Sequence, residues 1–261
     1  MIIEFSKYNG AGNDFIVVDD RNDNIDGNKS LIKKICDRNF GVGGDGLILI
    51  KKSMESDFKI VHYTPDGKIG SLCGNGSRCG VSFAFKNNLI SKNTVFTAYD
   101  GIHKAEIISD ELIKMEMKIN SEILENEYGV WLDTGSPHLI VEQDNTDLID
   151  VKKEGRLIRY NNLYKEEGVN VNFVEKISDN TFKIRTYERG VENETLACGT
   201  GSTATAICMN YMNKSNSDEI LMKCRGGDLR VKFNVEKKEF SNISITGPAN
   251  FVFKGKIDLK I

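Results

Sequence analysis

The stretch Leu72-Cys73-Gly74-Asn75-Gly76-Ser77-Arg78 decides how this chain is organised. It is typical of a turn that leads directly into a helix, with Asn75 or Ser77 as the capping side chain and glycines that let a ligand approach the backbone. The free N–H groups of a helix start attract anions and lower the pKa of a cysteine placed there. We therefore expect Cys73 to lie where a thiolate and a substrate carboxylate can both be held.

A second copy of this pattern is Ala197-Cys198-Gly199-Thr200-Gly201-Ser202. The likeness extends upstream, because the letters Phe-Lys-Ile followed by Tyr occur at residues 58–63 in the first copy and at residues 182–187 in the second. Taken alone, a cysteine is more often an inert small hydrophobic residue. Because Cys73 and Cys198 occupy matching helix starts in a duplicated unit, the repeat favours a function for both.

Composition excludes several classes of function. The 261 residues are 39% hydrophobic and 28% charged, which is typical of a soluble globular protein. A net charge of −3 without a basic block excludes a nucleic-acid-binding surface. No apolar run approaches the roughly 18 residues of a membrane span, and the chain start lacks a basic-then-apolar leader. The six cysteines therefore favour a reduced cytoplasm over a disulfide framework, and with no Cys-x-x-Cys pair we predict no metal site.

Two predicted helices define the fold. Residues 76–88 and 201–212 are small or apolar almost all round, and a helix without a polar face must be buried on all sides. Most of the remaining chain is typical of strands. We predict an α+β fold with two pseudo-symmetric domains, each a mainly antiparallel sheet curled around a central helix.

The predicted domain limits follow from the repeat and the C-terminal tail. The second half begins near Asn120, and residues 251–259 form a last strand that crosses back to the first half. We therefore assign residues 1–118 plus 248–261 to the N-terminal half and residues 119–247 to the C-terminal half.

Two glycine-rich segments are candidate ligand contacts. Gly41-Val42-Gly43-Gly44-Asp45-Gly46 matches the letters of the dinucleotide fingerprint, but that fingerprint needs a strand before it and a helix after it. Here a helix at 29–38 precedes and a strand at 47–50 follows, so we predict a ligand-facing turn instead. Residues 9–14 are interpreted either as a loop with glycine hinges that can place Asn13 over a ligand or as a plain hairpin connection, and this stretch alone leaves both open.

Two opposed cysteines can invert a stereocentre. If Cys73 and Cys198 face each other, a thiolate on one side removes a proton from a carbon while a thiol on the other returns one to the opposite face. The reverse reaction exchanges these roles, and a duplicated unit supplies that symmetry. The two helix starts would stabilise the negative charge that spreads onto the substrate carboxylate.

The motifs together resemble the diaminopimelate epimerase family over nearly the whole chain. The segments that carry the resemblance are Gly12-Asn13-Asp14-Phe15, Gly41 to Gly46, Asp66-Gly67, Cys73 to Cys79, Gly135-Ser136-Pro137-His138, Val169-Asn170, Tyr187-Glu188-Arg189-Gly190 and Glu194 to Gly201. The resemblance implies a PLP-independent isomerase without any cofactor. Such an enzyme interconverts LL- and meso-2,6-diaminopimelate for lysine and peptidoglycan synthesis, and its relatives are usually homodimers.

The family's residue roles carry over by position. Cys73 and Cys198 resemble its acid/base pair, and Arg189 is the natural partner of the distal carboxylate because a guanidinium binds it with two hydrogen bonds. The resemblance implies that His138 and Glu188 orient the centre. It assigns contacts to the reacting carboxylate to Gly74, Asn75, Gly199 and Thr200. Further substrate contacts are implied at Asn13, Asn170, Glu188 and Arg189.

Three positions depart from the family pattern. Thr64 and Ser136 stand where Asn is frequent, and Gly46 stands where some members have Gln. We expect Thr64, Ser136 and Gly46 to be substrate-binding positions still. Thr and Ser donate and accept hydrogen bonds but are shorter, so a water would fill the gap.

Alternative functions remain open on the residues themselves. A proline or hydroxyproline racemase shares the fold and the two-cysteine chemistry, but usually carries His where Asn75 stands and does not need the Glu188-Arg189 pair. A dithiol redox protein usually has its cysteines adjacent in sequence, and a cysteine hydrolase would use His138 but leave the second cysteine unexplained. A binding protein that kept the fold and lost turnover is the third alternative.

Overall fold

The chain forms two compact units. The structure, a computed structural model, describes residues 1–25 and 27–259. The first unit comprises Met1–Met115 with Gly247–Ile261, and the second unit comprises Glu116–Thr246. Within the described residues, no helix has the length and apolar character that crossing a bilayer requires.

The first unit combines paired strands with two helices. Its elements are β1 (Ile2–Gly10), β2 (Asn13–Asp19), α1 (Lys29–Cys36), β3 (Gly46–Lys51), β4 (Phe58–Tyr63), α2 (Gly74–Lys86), β5 (Asn93–Ala98), β6 (Gly101–Ser109) and β7 (Leu112–Glu116). The pairs β2–β3 and β4–β5 are parallel, whereas β1–β2, β3–β4, β5–β6 and β6–β7 are antiparallel. Because parallel neighbours need a crossover, α1 follows β2 and α2 follows β4.

The second unit repeats this order. Its elements are β8 (Leu124–Asn126), β9 (Gly129–Asp133), β10 (Pro137–Glu142), a 3₁₀ turn (Thr146–Leu148), α3 (Val151–Arg159), β11 (Asn170–Ser178), β12 (Thr181–Glu188), β13 (Asn193–Thr195), α4 (Gly199–Tyr211), β14 (Glu219–Cys224), β15 (Gly227–Glu236) and β16 (Glu239–Pro248). The pairs β10–β11 and β12–β14 are parallel, and the other pairs within the unit are antiparallel. Helix α3 follows β10, and α4 lies between β12 and β14. The predicted α+β class with two pseudo-symmetric halves is confirmed.

The C-terminal strand belongs to the first unit. Strand β17 (Asn250–Asp258) pairs antiparallel with β1, in a register that runs from Ile2 opposite Asp258 to Asn9 opposite Asn250. The last strand of the chain therefore completes the sheet that the first strand opens.

Helices α2 and α4 are the buried centres of their units. Residues 74–84 of α2 and residues 199–209 of α4 are all buried. Helix α2 packs against β1, β2, β3, β4 and β6, and α4 packs against β9, β10, β11, β14 and β15. The amphipathic helix α1 instead buries one face, with Leu31, Ile32 and Ile35 inward. Burial on all sides is the consequence of the small and apolar sequence of α2 and α4.

Of the two interpretations of residues 9–14, the structure shows the hairpin connection. Strand β1 continues to Gly10 and β2 begins at Asn13, so only Ala11 and Gly12 form the connection. Their φ values of 51° and 92° are those of a tight hairpin turn. Asn13 is therefore held by strand pairing rather than by a flexible hinge.

Candidate active site

Both cysteines of the repeat cap their helices. The Sγ atom of Cys73 accepts the N–H of Gly76 at 3.4 Å, and the Sγ atom of Cys198 accepts the N–H of Gly201 at 3.4 Å. The sequence interpretation that Asn75 or Ser77 is the cap is wrong, because α2 begins at Gly74 and Cys73 itself is the N-cap. Each thiol thus interacts with the positive end of a buried helix, which stabilises a thiolate.

Three of the other four cysteines are set apart from Cys73 and Cys198 by burial, and the fourth, Cys224, is half-buried. Burial raises the pKa of Cys36 to about 11 and that of Cys79 to about 12. Burial also raises the pKa of Cys208. These three thiols are therefore neutral at physiological pH, whereas Cys73 and Cys198 are partly exposed.

Asn13 and Asn75 meet beside the start of α2. The Nδ2 of Asn75 donates to Asn13 Oδ1 at 2.5 Å, and the Nδ2 of Asn13 donates to Asp45 Oδ2 at 3.2 Å. The Oδ1 of Asn75 accepts from the fully buried Arg78 guanidinium at 2.6 Å. The structure thus brings two predicted binding residues together and fixes which way each amide points.

A charged network supports this asparagine pair. Asp14 pairs with Lys7 at 2.6 Å and with Arg38 at 2.6 Å, and Arg38 also pairs with Asp45 at 2.7 Å. Burial opposes ionisation of Asp14, but hydrogen bonds from Arg38 and Lys7 outweigh it and lower the pKa of that carboxyl to about 2. The predicted turn at residues 41–46 thus contributes Asp45, a residue that sequence reasoning did not single out.

Gly46 and Thr64 have local roles in the first unit. A Cβ at Gly46 would lie 2.7 Å from Nε2 of His62, so the histidine ring occupies the space that a side chain at position 46 would need. The Thr64 hydroxyl donates to Asp66 Oδ1 at 2.5 Å and lies 3.0 Å from the carbonyl oxygen of Lys68, within the turn at 64–68. Their substrate contacts stay predictions.

In the second unit the predicted residues form one cluster. The Nδ2 of Asn170 donates to Ser136 Oγ at 3.1 Å, and the backbone N–H of Arg189 donates to Asn170 Oδ1 at 2.9 Å. The Nε2 of His138 lies 3.0 Å from Ser136 Oγ and 2.9 Å from Thr200 Oγ1. The parallel register of β10 and β11, with His138 opposite Asn170, brings these side chains together.

The remaining predicted residues lie around this cluster. Gly199 is the first, buried residue of α4, and Glu188 is the last residue of β12. The Nη1 of Arg189 donates to the carbonyl oxygen of Glu167 at 2.8 Å. Thr200 Oγ1 lies 3.4 Å from the Sγ of Cys198, so the cluster extends to the thiol.

His138 is enclosed and neutral. Its side chain is fully buried, and burial, with a smaller contribution from the charge of Arg189, lowers the pKa of His138 to about 3. Asn172 contacts its Nδ1 at 3.2 Å, and Thr186 contacts Asn172 in turn. Sequence reasoning missed both residues. The available signal was the alternation in Val169-Asn170-Val171-Asn172, which places both asparagines on one face of β11.

Among the residues that the structure describes, acidic, histidine and cysteine side chains do not gather into a metal site. In residues 1–25 and 27–259, no group of three or more of them could hold a metal ion.

The fold is shared with proteins of a known structural class. The crystal structure of a Bacillus anthracis phenazine biosynthesis protein of the PhzF family superposes with a TM-score of 0.76 at 16% identity, covering 99% of this chain and 100% of that chain. A hydroxyproline epimerase from Agrobacterium vitis superposes with a TM-score of 0.67 at 14% identity, covering 98% of this chain and 91% of that chain. These likenesses define the fold class.

Sequence comparison defines the family within that class. The diaminopimelate epimerase family model matches residues 5–119 and 130–252. The diaminopimelate epimerase of Flavobacterium psychrophilum is 50% identical over 252 residues, which cover 96% of this chain and 98% of the relative. That of Aquifex aeolicus is 37% identical over 279 residues, with 99% of each chain covered. The chain belongs to the diaminopimelate epimerase family and is an isomerase of the epimerase type, which confirms the resemblance read from its motifs.

Proposed function

We propose that this enzyme inverts one α-carbon of LL-2,6-diaminopimelate to give meso-diaminopimelate, for lysine and peptidoglycan synthesis. The observation that carries the proposal is the pair of duplicated helix N-caps, Cys73 and Cys198, each with its sulfur on a helix N–H. Membership of the family and the name of the 50% identical relative support the choice of substrate.

The proposed mechanism uses the two sulfur atoms as acid and base on one carbon. A thiolate takes the α-proton, and the thiol of the other cysteine delivers its proton to the opposite face. The substrate is thereby inverted and the charge states of Cys73 and Cys198 are exchanged, so no cofactor is required. The helix N–H groups at Gly74, Asn75, Gly199 and Thr200 stabilise the carboxylate as negative charge spreads onto it.

In this proposal, the other predicted residues bind the rest of the substrate or orient the reacting groups. Arg189 binds the distal carboxylate through two hydrogen bonds, which its planar guanidinium favours. His138 and Glu188 orient the reacting groups. Further contacts come from Asn13, Gly46, Thr64, Ser136 and Asn170. The fixed amides of Asn13 and Asn170 support these assignments, since a preorganised group costs less to bind a ligand.

We propose that the enzyme consists of two epimerase halves, residues 1–118 plus 248–261 and residues 119–247. The two compact units, Met1–Met115 with Gly247–Ile261 and Glu116–Thr246, support this division because their limits lie close by. We also propose a homodimer that works in the cytoplasm. The reduced, buried thiols of Cys36, Cys79 and Cys208 support the compartment, because oxidising compartments favour disulfides. Three successive exposed apolar residues, Phe251, Val252 and Phe253, support the dimer, and light scattering after gel filtration would measure it.

The experiment that tests the function is turnover in heavy water. LL-diaminopimelate is incubated with the enzyme in D₂O without added cofactor, and products are separated by stereochemistry and mass. We expect meso-diaminopimelate with one deuterium at the inverted α-carbon. Exchange with proline and none with diaminopimelate would instead indicate a proline racemase activity, and hydrolysis or thiol-dependent reduction would move the enzyme to another class.

Matched cysteine variants test the mechanism. Cys73→Ala and Cys198→Ala should each lower epimerisation by about 10²–10⁴-fold or more, because each removes one general acid/base. Cys224→Ala, a change in the half-buried cysteine of β14, should retain wild-type turnover. Wild-type inversion by either of the first two variants would rule out the two-thiol mechanism.

A further inference from the structure

The second unit contains a buried chain of polar side chains that ends on Cys198. Thr186 Oγ1 donates to Asn172 Oδ1 at 2.9 Å, which leaves the Nδ2 of Asn172 as the group that faces His138. That Nδ2 also donates to the carbonyl oxygen of Leu139 at 3.1 Å, so the amide orientation is fixed by contacts on both of its ends. Thr186, Asn172 and His138 are all buried.

The fixed amide determines which nitrogen of His138 carries the proton. Because the Nδ2 of Asn172 is a donor, the Nδ1 of His138 at 3.2 Å must be the bare acceptor nitrogen. Burial lowers the pKa of His138 to about 3, so the neutral ring carries one proton at physiological pH. That proton is on Nε2, which faces Thr200 Oγ1 at 2.9 Å and Ser136 Oγ at 3.0 Å.

The position of that proton restricts the hydroxyl of Thr200. When Thr200 Oγ1 accepts from His138 Nε2, its own hydrogen must point to another acceptor. The neighbours are Cys198 Sγ at 3.4 Å and Ser136 Oγ at 3.5 Å. Ser136 Oγ already accepts from Asn170, whereas a thiolate sulfur is an anion that attracts a donor strongly.

The first unit shows that the fold itself does not require this polar chain. Phe15 pairs in parallel with Gly46 in the same way that His138 pairs with Asn170, so Phe15 is the counterpart of His138. An apolar ring therefore fills the equivalent position beside the other buried helix.

The position that Asn172 occupies in the second unit is also apolar in the first unit. Ile48 lies opposite His62, as Asn172 lies opposite Thr186. The counterpart of Asn172 is thus an isoleucine. Buried polar groups cost free energy unless they are paired. Because the first unit folds with apolar residues at the equivalent positions, the hydrogen-bonded polar side chains of the second unit require a functional explanation.

Gly201 of helix α4 leaves space for the buried polar side chains of the second unit. A Cβ at Gly201 would lie 2.6 Å from Asn172 Oδ1 and 3.2 Å from the Nδ1 of His138. At the equivalent Gly76 of α2, the nearest atom is the Cδ1 of Ile48 at 3.0 Å. The absent side chain at position 201 therefore lets Asn172 approach the same helix turn that carries Cys198.

We propose that Thr186 and Asn172 are positioning residues that hold His138 in its Nε2–H tautomer, so that the Thr200 hydroxyl donates its hydrogen to Cys198 and stabilises the thiolate there. The catalytic use of that thiolate rests on the proposed function. The proton arrangement itself does not, and it can be measured without substrate.

The first test is the tautomer of His138. The enzyme is labelled with ¹⁵N-histidine, and His138 is assigned by its loss in His138→Gln. We expect a bare Nδ1 and a protonated Nε2 in the wild type. In Asn172→Asp, a carboxylate replaces the donor and should draw the proton to Nδ1, reversing the pattern. A protonated Nδ1 in the wild type, or an unchanged pattern in Asn172→Asp, would overturn the proposal.

The second test is the reactivity of Cys198, measured by iodoacetamide labelling and peptide mass spectrometry at neutral pH. Thr200→Val should slow labelling about three- to tenfold, because a hydrogen bond to the thiolate is lost while the remaining thiolate becomes somewhat more nucleophilic. Thr200→Ser keeps the hydroxyl and should retain the wild-type rate. Equal rates in Thr200→Val and Thr200→Ser would contradict the arrangement.

A double-variant cycle separates the hydrogen-bond chain from a direct charge effect. If Asn172→Asp acts through the Thr200 hydroxyl, it should slow labelling of Cys198 in the wild-type background but not in Thr200→Val. Full additivity of the two changes would show that the new carboxylate acts by its charge alone and would overturn the proposed chain. Because none of these readouts uses turnover, failure of the substrate assignment and failure of this inference remain distinguishable.

Discussion

At the scale of single residues, the space that a side chain at Gly46 would occupy is filled by the ring of His62. The Nε2 of His62 is shielded from solvent, and the ring forms a T-shaped pair with Phe15 at a centroid distance of 6.0 Å. Burial lowers the pKa of His62, so the ring is neutral there. The pair Gly46 and His62 therefore acts as one packing unit.

We predict that Gly46→Ala destabilises the protein by about 1–3 kcal/mol, since the added methyl overpacks against His62 and against the carbonyl oxygen of Tyr63 at 2.9 Å. The free energy of unfolding in urea measures this. The double variant Gly46→Ala/His62→Ala should be more stable than the sum of the single changes predicts, by about 0.5 kcal/mol or more. Additive single effects would contradict the packing interpretation.

A second prediction at this scale concerns Asp14. Its pKa is lowered from 3.8 to about 2, so its contribution to stability is complete above about pH 4 and is lost as the pH falls towards 2. Asp14→Asn should cost about 1 kcal/mol at pH 7, a value discounted for the partial exposure of the carboxylate. The difference from wild type should shrink at pH 2.5. Asp110→Asn, in an exposed turn, is the control, and a difference that persists at low pH would refute the assignment.

At the scale of secondary-structure elements, the starts of α2 and α4 have the same cap but different neighbours. The first turn of α4 contacts Asn172 and His138, whereas that of α2 contacts Ile48 and Phe15. The backbone design is therefore common to both helices, and the chemistry of the adjoining strands distinguishes them.

We predict that Gly201→Ala destabilises the protein more than Gly76→Ala does. Alanine favours a helix over glycine by about 1 kcal/mol at either position, but at 201 its methyl would lie 2.6 Å from Asn172 Oδ1, an atom held by hydrogen bonds. At 76 the contact is with the tip of Ile48, which can rotate. Thermal unfolding of both variants measures the difference, and a smaller loss for Gly201→Ala would contradict it.

At the scale of the whole molecule, strands β1 and β17, which are far apart in sequence, are joined in one unit. Strand β17 pairs antiparallel with β1, and Leu259 contributes to the core cluster that also contains Ile3 and Leu47. The first unit is thus completed only when the last strand has been synthesised.

We predict that a variant truncated after Ala249 loses hydrogen-exchange protection selectively in the first unit. Hydrogen exchange should become faster in β1, β2 and β3, because β1 loses one of its two strand partners and the cluster loses Leu259. Exchange in β10, β11 and β12 should change little. Lys256→Ala, which removes only an exposed ion pair with Glu4, is the control. Equal loss of protection in both units would contradict the prediction.

Much of the fold was predictable because local patterns encode it. The sequences at 76–88 and 201–212 are small or apolar almost all round and therefore predicted buried helices, and alternation marked most strands. The cap at Cys73 was mispredicted, and the sequence left open whether residues 9–14 form a loop or the hairpin that the structure shows. Polar turn residues are equally frequent in loops and hairpins, and Asn75 or Ser77 is a commoner capping residue than cysteine.

The sequence by itself determined the duplication, the two cysteines and the family, since each depends on residues that are close together in the chain or repeated along it. Only the tertiary structure decided which polar groups meet. His138 and Thr200 are 62 positions apart, and Asn172 and Thr186 come from neighbouring strands. A buried hydrogen bond depends on the distance and orientation of its two groups. Neither quantity produces a periodic pattern in the sequence. The proton arrangement at Cys198 was therefore decided by the packing of β10, β11, β12 and α4.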